Sequence, residues 1–194
     1  MGTPLDRPFV AFAGGPTGHW EVTASATITG SPLPPVSRVD VHERVGLPGP
    51  DQAATWTLVG RVSNGRYTRR TELDALTAIQ APLGRRAASR AALIPIRKSP
   101  AWWALAQDER RAVLAERSQH ISVGTRHAGT IARRLCHSRD LGGAFDFLTW
   151  FEFAPEQEPA FDELVAELRG SLEWSYVERE SDIRLARRPS NRAA

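Results

Sequence analysis

Lysine is nearly missing from this chain: of its 25 basic residues only Lys98 is one. A lone ammonium among guanidiniums reflects either chance or a position that needs a compact cation rather than a planar fork. Cysteine is as scarce. The single Cys136 excludes an internal disulfide framework and any cysteine-rich zinc site, and it leaves the redox compartment open. No segment approaches the run of about 20 apolar residues that spans a bilayer. The start, MGTPLDRPFVAFAGG, lacks the basic region and apolar core of a targeting segment, so a soluble, cytoplasmic chain is expected, with no membrane partner. Runs of five or six like charges are also absent, and the formal net charge is only +3. Arginines alternate with acids in DERRAVLAER and YVERESDIRLARR. They read as solvated faces, with nucleic-acid binding the weaker alternative. HExxH, GxSxG and a glycine-rich phosphate loop do not occur, so the chemistries carried by those motifs have no foothold.

What is present is an ordinary globular composition, 41% hydrophobic and 24% charged over 194 residues, enough for one large domain or two small packed ones. HWEVTASATITG alternates as a strand does, and TWTLVGRVSNGRYTRR carries Asn64-Gly65 where two strands would turn. SPLPP and VGLPGPDQ are loop chemistry, TELDALTAIQ is a short helix, and RAALIPIRK reads as a buried strand despite Pro95. Ser99 and Pro100 suit the N-cap and first turn of a helix running through AWWALAQDERRAVLAERSQHI. FDFLTWFEF sets Phe145, Phe147, Thr149, Phe151 and Phe153 on one face at period two. PAFDELVAELRG repeats Phe161, Leu164, Val165 and Leu168 at helical spacing, and EWSYVERESDIRL closes as a strand. The pattern points to an α+β fold of ferredoxin-like type.

Three of the five histidines fall in SQHISVGTRHAGTIARRLCHSRDLG. His120 and His127 are seven apart, two turns along one helix face, too far for shared chelation of a small metal ion. One isolated ligand suits heme, with a carboxylate orienting the imidazole and a cation facing an anionic substrate. Ordinary surface or core placement is the competing reading.

The blocks AALIPIRKSPAWWALAQDERRA, SQHISVG, IARRLCHSRDLGGAFDFLTWFEFAPE and EWSYVERESDIRL, within Tyr67 to Leu185, resemble the chlorite dismutase family in its short, dimeric branch. The resemblance implies a homodimeric heme b enzyme of dimeric α+β barrel type. It implies two ferredoxin-like units, a truncated one over 1–98 and a heme-binding one over 99–187, then a tail over 188–194. It further implies conversion of chlorite to chloride and dioxygen through a ferryl and hypochlorite pair. By the same resemblance His120 matches the proximal iron ligand, Glu173 its carboxylate partner and Lys98 the lysine beside it. Trp102 and Trp103 match tryptophans that line the heme. Arg133 matches the distal arginine that handles the anion, and Gln80 a glutamine that hydrogen-bonds it. His120 and Arg133 would stand about 20 Å apart on one straight helix, so the chain must turn between them, with Gly124 and Gly129 as candidate breaks. His127 and His137 are then bystanders at the surface. Ala128 stands where relatives often carry a larger apolar residue, which leaves the shape of the distal entrance open.

Two alternatives remain. Coproheme decarboxylases of the same family resemble YPM-x-K where this chain has Ile94-Pro95-Ile96-Arg97-Lys98, so the tyrosine that carries their chemistry is Ile94 here. A non-enzymatic heme carrier or sensor explains His120 but gives Arg133 no purpose.

Overall fold

A computed structural model describes residues 8–187 except 48, 50, 51 and 66. The expected tail over 188–194 lies outside the described residues. Eight strands close into a barrel: β1 (Phe9–Gly15), β2 (Trp20–Thr29), β3 (Arg38–Arg44), β4 (Trp56–Val62), β5 (Arg90–Lys98), β6 (Ala132–His137), β7 (Phe147–Phe153) and β8 (Val177–Arg187). The order around the barrel is β1-β3-β2-β8-β5-β7-β6-β4, and every neighbouring pair is antiparallel. Among the described residues five α-helices accompany them: α1 (Arg70–Ile79), α2 (Pro100–Ala104), α3 (Gln107–Ala112), α4 (His120–His127) and α5 (Glu158–Arg169). The fold is α+β.

The strand alternation sorts two cores. Inside the barrel Val10, Phe12, Trp20, Leu93, Leu148, Trp150 and Ile183 pack together. On the outer face of the β5–β8 half, Ile94, Ile96, Phe147, Phe151 and Phe153 meet Val123 of α4 and Phe161, Leu164, Val165 and Leu168 of α5. Period two therefore serves both sides of β7, because helices cover its outer face while the barrel encloses its inner one. Phe161 is fully buried against Phe151 and Phe153, with ring centroids 5.0 and 4.6 Å away. Truncating such a ring to alanine costs about 3–5 kcal/mol. Phe145 departs from the expected face: it precedes the strand and turns into the barrel interior.

Pro95 sits in a central strand because the ladder leaves room for it. β5 pairs with β8 from Arg90 to Leu93 and again from Ile96, with Ile94 and Pro95 skipped. Pro95 keeps its register with Leu148 of β7, and the N–H that proline lacks coincides with the gap in the ladder on the β8 side.

Two expected elements differ. Asn64 and Gly65 do turn the chain, but into α1 rather than a returning strand. The Asn64 side chain instead accepts the Leu135 N–H at 2.8 Å, and Ser63 donates to the Leu135 carbonyl, so this turn seals the edge of β6. The single helix expected over residues 101–121 is three pieces: α2, α3 and a five-residue π-helical turn, Val113–Arg117. Leu105 adopts extended backbone and interrupts the helix after α2. Gln119, at φ 50°, breaks the run again just before His120.

Candidate functional site

A cleft of about 1320 Å³, counted out to its open mouth, lies between the outer face of the β5–β8 half and the helices. The floor is the sheet itself, with Ile94, Thr149, Phe151 and Arg133 on it, and α4 and α5 form one wall. His120, Glu173, Lys98, Trp102, Arg133 and Gln80 all line this one cavity, although the chain spaces them over more than 90 residues.

His120 opens α4. The left-handed Gln119 before it and the π-helical turn upstream set the direction in which the ring leaves the chain. Its Nδ1 lies 2.5 Å from Glu173 Oε2, which leaves Nε2 for the cavity. Glu173 sits on a short 3-10 turn (Leu172–Tyr176) and is only 3% exposed. Its other oxygen meets Lys98 Nζ at 2.8 Å, and its backbone N–H donates to Ser118 Oγ at 2.8 Å. Burial pushes the Glu173 carboxyl up, but the charges of His120 and Lys98 and their hydrogen bonds outweigh it and bring it down to about 2. Burial pulls the Lys98 ammonium down, and Glu173 opposes that shift only in part. The three side chains form one buried relay: cation, anion, imidazole.

Lys98 is positioned by its strand as well. Its backbone N–H donates to Asp146 Oδ2 at 2.7 Å, and its Nζ lies 4.7 Å from the centre of the Trp102 ring. Trp102 is 1% exposed, and its indole N–H is buried with no acceptor among the described residues. A buried donor without a protein acceptor is satisfied by a ligand or by water. Trp103 does not share this position. It lies on the same outer face but beyond the cavity lining, stacked on Phe147 with ring centroids 6.0 Å apart, and its indole donates to Asp146 Oδ2 at 3.1 Å. Trp103 is thus brought to the partner of Lys98 and not to the cavity lining, because consecutive helical residues diverge by about 100°.

Arg133 projects from β6 into the cavity. Burial lowers its pKa with no carboxylate opposing the shift, and no ion pair joins it among the described residues. A guanidinium keeps its charge in any such setting. Gln80 follows α1, where its Nε2 lies 3.3 to 3.5 Å from the carbonyls of Ala81, Ala128 and Ile131. Its Oε1 has no such tie among the described residues. Ala128, 4% exposed, lines the same wall and accepts the Ala81 N–H at 2.8 Å.

The turn between His120 and Arg133 is made by residues 128–131, so Gly129 falls in the break, whereas Gly124 lies inside α4. Gly124 is one turn from His120, lines the cavity, and a Cβ there would meet nothing within 4 Å. Glycine in a helix costs roughly 0.5–1 kcal/mol, and here it leaves open space beside the imidazole. His127 and His137 are not at the surface as expected. His127 is half-buried in the cavity wall because it shares a helix face with His120. His137 is buried because β6 alternation sends it, with Arg133 and Leu135, to the face covered by Trp103 and Phe147. Ser118, Asp146 and Trp174 are contributors that sequence reasoning missed, and nothing in their spacing marks them.

The donor set fits a flat tetrapyrrole with one axial ligand: a single imidazole with Nε2 open, apolar walls, an orphaned indole donor and an unpaired guanidinium. Cys136, inside the barrel, is pushed up to about 12 by burial and takes no part.

Residues 51–189 match a family model described as chlorite dismutase. Among solved structures the chain is similar to a dimeric chlorite dismutase from Nitrobacter winogradskyi, with 48% identity over 92% of this chain and 99% of that one, and a TM-score of 0.83. It is also similar to a chlorite dismutase from Candidatus Nitrospira defluvii in complex with imidazole, at 26% identity over 69% of this chain and 56% of that one, with a TM-score of 0.56. A mutant of the Nitrospira enzyme in complex with cyanide shares the fold, at 21% identity over 95% and 92% of the two chains and a TM-score of 0.67. No curated protein matches.

Proposed function

The chain belongs to the chlorite dismutase family and is an enzyme of chlorite conversion, and from that premise we propose that it works as a cytoplasmic homodimer with one heme b per chain, releasing chloride and dioxygen. His120 Nε2 would hold the heme iron. Glu173 accepts the proton-bearing Nδ1, which raises the basicity of the ligand, and Lys98 keeps Glu173 charged. The Trp102 indole N–H, which has no acceptor among the described residues, would be available to a carboxylate of the bound group. When bound, the heme iron supplies an acceptor for an oxygen atom from chlorite.

The rest is done by the chain. Arg133 binds the chlorite anion with charge-assisted hydrogen bonds inside an apolar cavity, where they are worth more than in water. The same guanidinium holds the chlorine oxyanion left after oxygen transfer until the oxygen–oxygen bond has formed. Gln80 offers its free Oε1 to Arg133 and so steadies it. The observation that carries this reading is a carboxylate-tied imidazole and an unpaired guanidinium in one apolar cleft. Ile94 on the cleft floor supports it against coproheme decarboxylation, since an aliphatic side chain carries no radical.

Two ferredoxin-like units are part of the same proposal. Numbering each set of four strands in chain order, β8-β5-β7-β6 and β4-β1-β3-β2 both read 4-1-3-2, the order of a β-α-β-β-α-β unit. The first set has no helix between its strands among the described residues, which supports truncation. We take the boundary before Arg90 rather than after Lys98, because β5 opens the second repeat. The dimer rests on the dimeric relative.

The test is to add heme to the purified protein and follow its absorption spectrum, then oxygen release on adding chlorite. A bound-heme spectrum with rapid oxygen evolution is expected. Heme uptake without oxygen would favour a carrier or sensor, and heme b formed from coproheme and peroxide would favour the decarboxylase.

A further inference from the structure

Trp174 follows Glu173 on the 172–176 turn and lines the same cavity, yet its own anchor lies outside it. The indole Nε1 donates to Glu180 Oε2 at 2.7 Å. Glu180, on β8, is fully buried, and its other oxygen accepts two bonds from Arg169 at the end of α5, at 2.8 and 2.5 Å. Arg169 also reaches Asp182 Oδ2 at 3.0 Å. Such a pair is costly to desolvate, and well-packed apolar residues of similar volume often do as well or better. What an apolar residue lacks is an acceptor for the indole. The Trp174 ring, in turn, stands 5.4 Å from Lys98 Nζ, opposite Trp102 at 4.7 Å, so the ammonium bound to Glu173 is flanked by two aromatic rings.

We propose that Glu180 is a positioning residue for the iron ligand. By holding the Trp174 indole from behind the cavity it fixes the 172–176 turn, and with it the Glu173 carboxylate against His120 Nδ1. Glu180 does not line the cavity; it touches the site through the Trp174 indole, and its charge also favours the Lys98 ammonium. This rests on the heme reading above.

Three variants test it. Glu180→Gln offers one acceptor oxygen where there were two; the Arg169 guanidinium takes it with its two charge-assisted bonds, so the indole faces an NH2 group. Trp174→Phe keeps a ring and removes the donor. Asp182→Asn weakens the grip on Arg169 without touching the indole and serves as the control. The readouts are the His120 Nδ1–H resonance in ¹⁵N-labelled apo-protein, heme affinity by titration, and the heme midpoint potential. Glu180→Gln and Trp174→Phe should each move the resonance toward that of a weaker hydrogen bond and raise the potential. Each should also weaken heme binding about tenfold, the lower end of the about 10–100-fold seen when a ligand's supporting partner is lost. The double variant should go no further than either single, because both break one contact. Asp182→Asn should leave all three readouts at parent values.

A Glu180→Gln protein with a lower melting temperature but unchanged resonance and potential would overturn the proposal and leave an ordinary buried ion pair. If Glu180→Gln fails to fold, Trp174→Phe decides alone, and an unmoved resonance overturns it. If the resonance moves but the parent takes up no heme, the positioning role stands and the cofactor reading fails.

Discussion

Glu173→Gln removes one negative charge from a side chain that is 3% exposed and touches the Lys98 ammonium at 2.8 Å and the His120 imidazole at 2.5 Å. Removing one member of a buried ion pair costs about 3–5 kcal/mol when the other charge is stranded. Two features reduce that figure here. The remaining amide oxygen still accepts one bond, and a hydrogen bond to a charged group is worth about 1.5–3 kcal/mol. Lys98 can also shed its proton, because burial already lowers its pKa. The expected loss is therefore about 2 kcal/mol, measured by urea unfolding of the apo-protein at pH 7. Adding Lys98→Met to Glu173→Gln should recover most of it, since the stranded ammonium is what costs. The pH profile supplies an independent check. The Glu173 carboxyl is held at about 2 in the fold against an ordinary 4.5, so its contribution is complete above about 4.5 and is lost as the pH falls toward 2. Parent stability should decline across that window, with a flatter profile for Glu173→Gln. A single-variant loss below about 0.5 kcal/mol, the level of an indifferent surface change, or a double variant no better than the sum of its parts, would refute the coupled relay.

His120→Ala should abolish most heme uptake, whereas His127→Ala should keep it, because only the Glu173-tied imidazole is oriented as a ligand; absorption titration distinguishes them. Arg133→Ala should bind heme normally but lose about 10² to 10³ in oxygen-forming turnover, the usual loss for one oxyanion donor, with hypochlorite appearing in a chlorine trap. Arg133→Lys should restore only part of it, since it keeps the charge and not the planar fork. Gly124→Leu should raise apo-protein stability by about 0.5–1 kcal/mol through helix propensity while blocking heme, a combination that melting and titration together reveal.

The α+β class, most strands and α5 were legible because period two and period 3.6 are written directly in the order of residues. The helix over 101–121 was misread because its apolar spacing carries no sign of the extended Leu105 or the left-handed Gln119, which are backbone choices that tertiary packing decides. Among the site residues, His120, Glu173, Lys98 and Arg133 were reached through resemblance, and the cavity they share depends on strand pairings between distant segments. Which of Trp102 and Trp103 lines the cleft was not legible, because adjacent helical residues leave the axis in different directions and only the docked position of α2 decides it. Asp146 and Ser118 escaped notice for a simpler reason: an acid or a serine in a loop has no spacing to mark it.

β7 carries the cleft floor on one face and the barrel interior on the other, through Phe147, Thr149 and Phe151 against Leu148 and Trp150. A one-residue insertion or deletion there would exchange the two sets, so that tryptophan would enter the floor and phenylalanine the barrel. Change by insertion is thus closed to this strand, and the site can diversify only by point replacement on the floor or by length variation in the connections at 63–69 and 128–131. Related chains should accordingly differ in cleft shape mainly along that rim, while their β7 segments keep constant length.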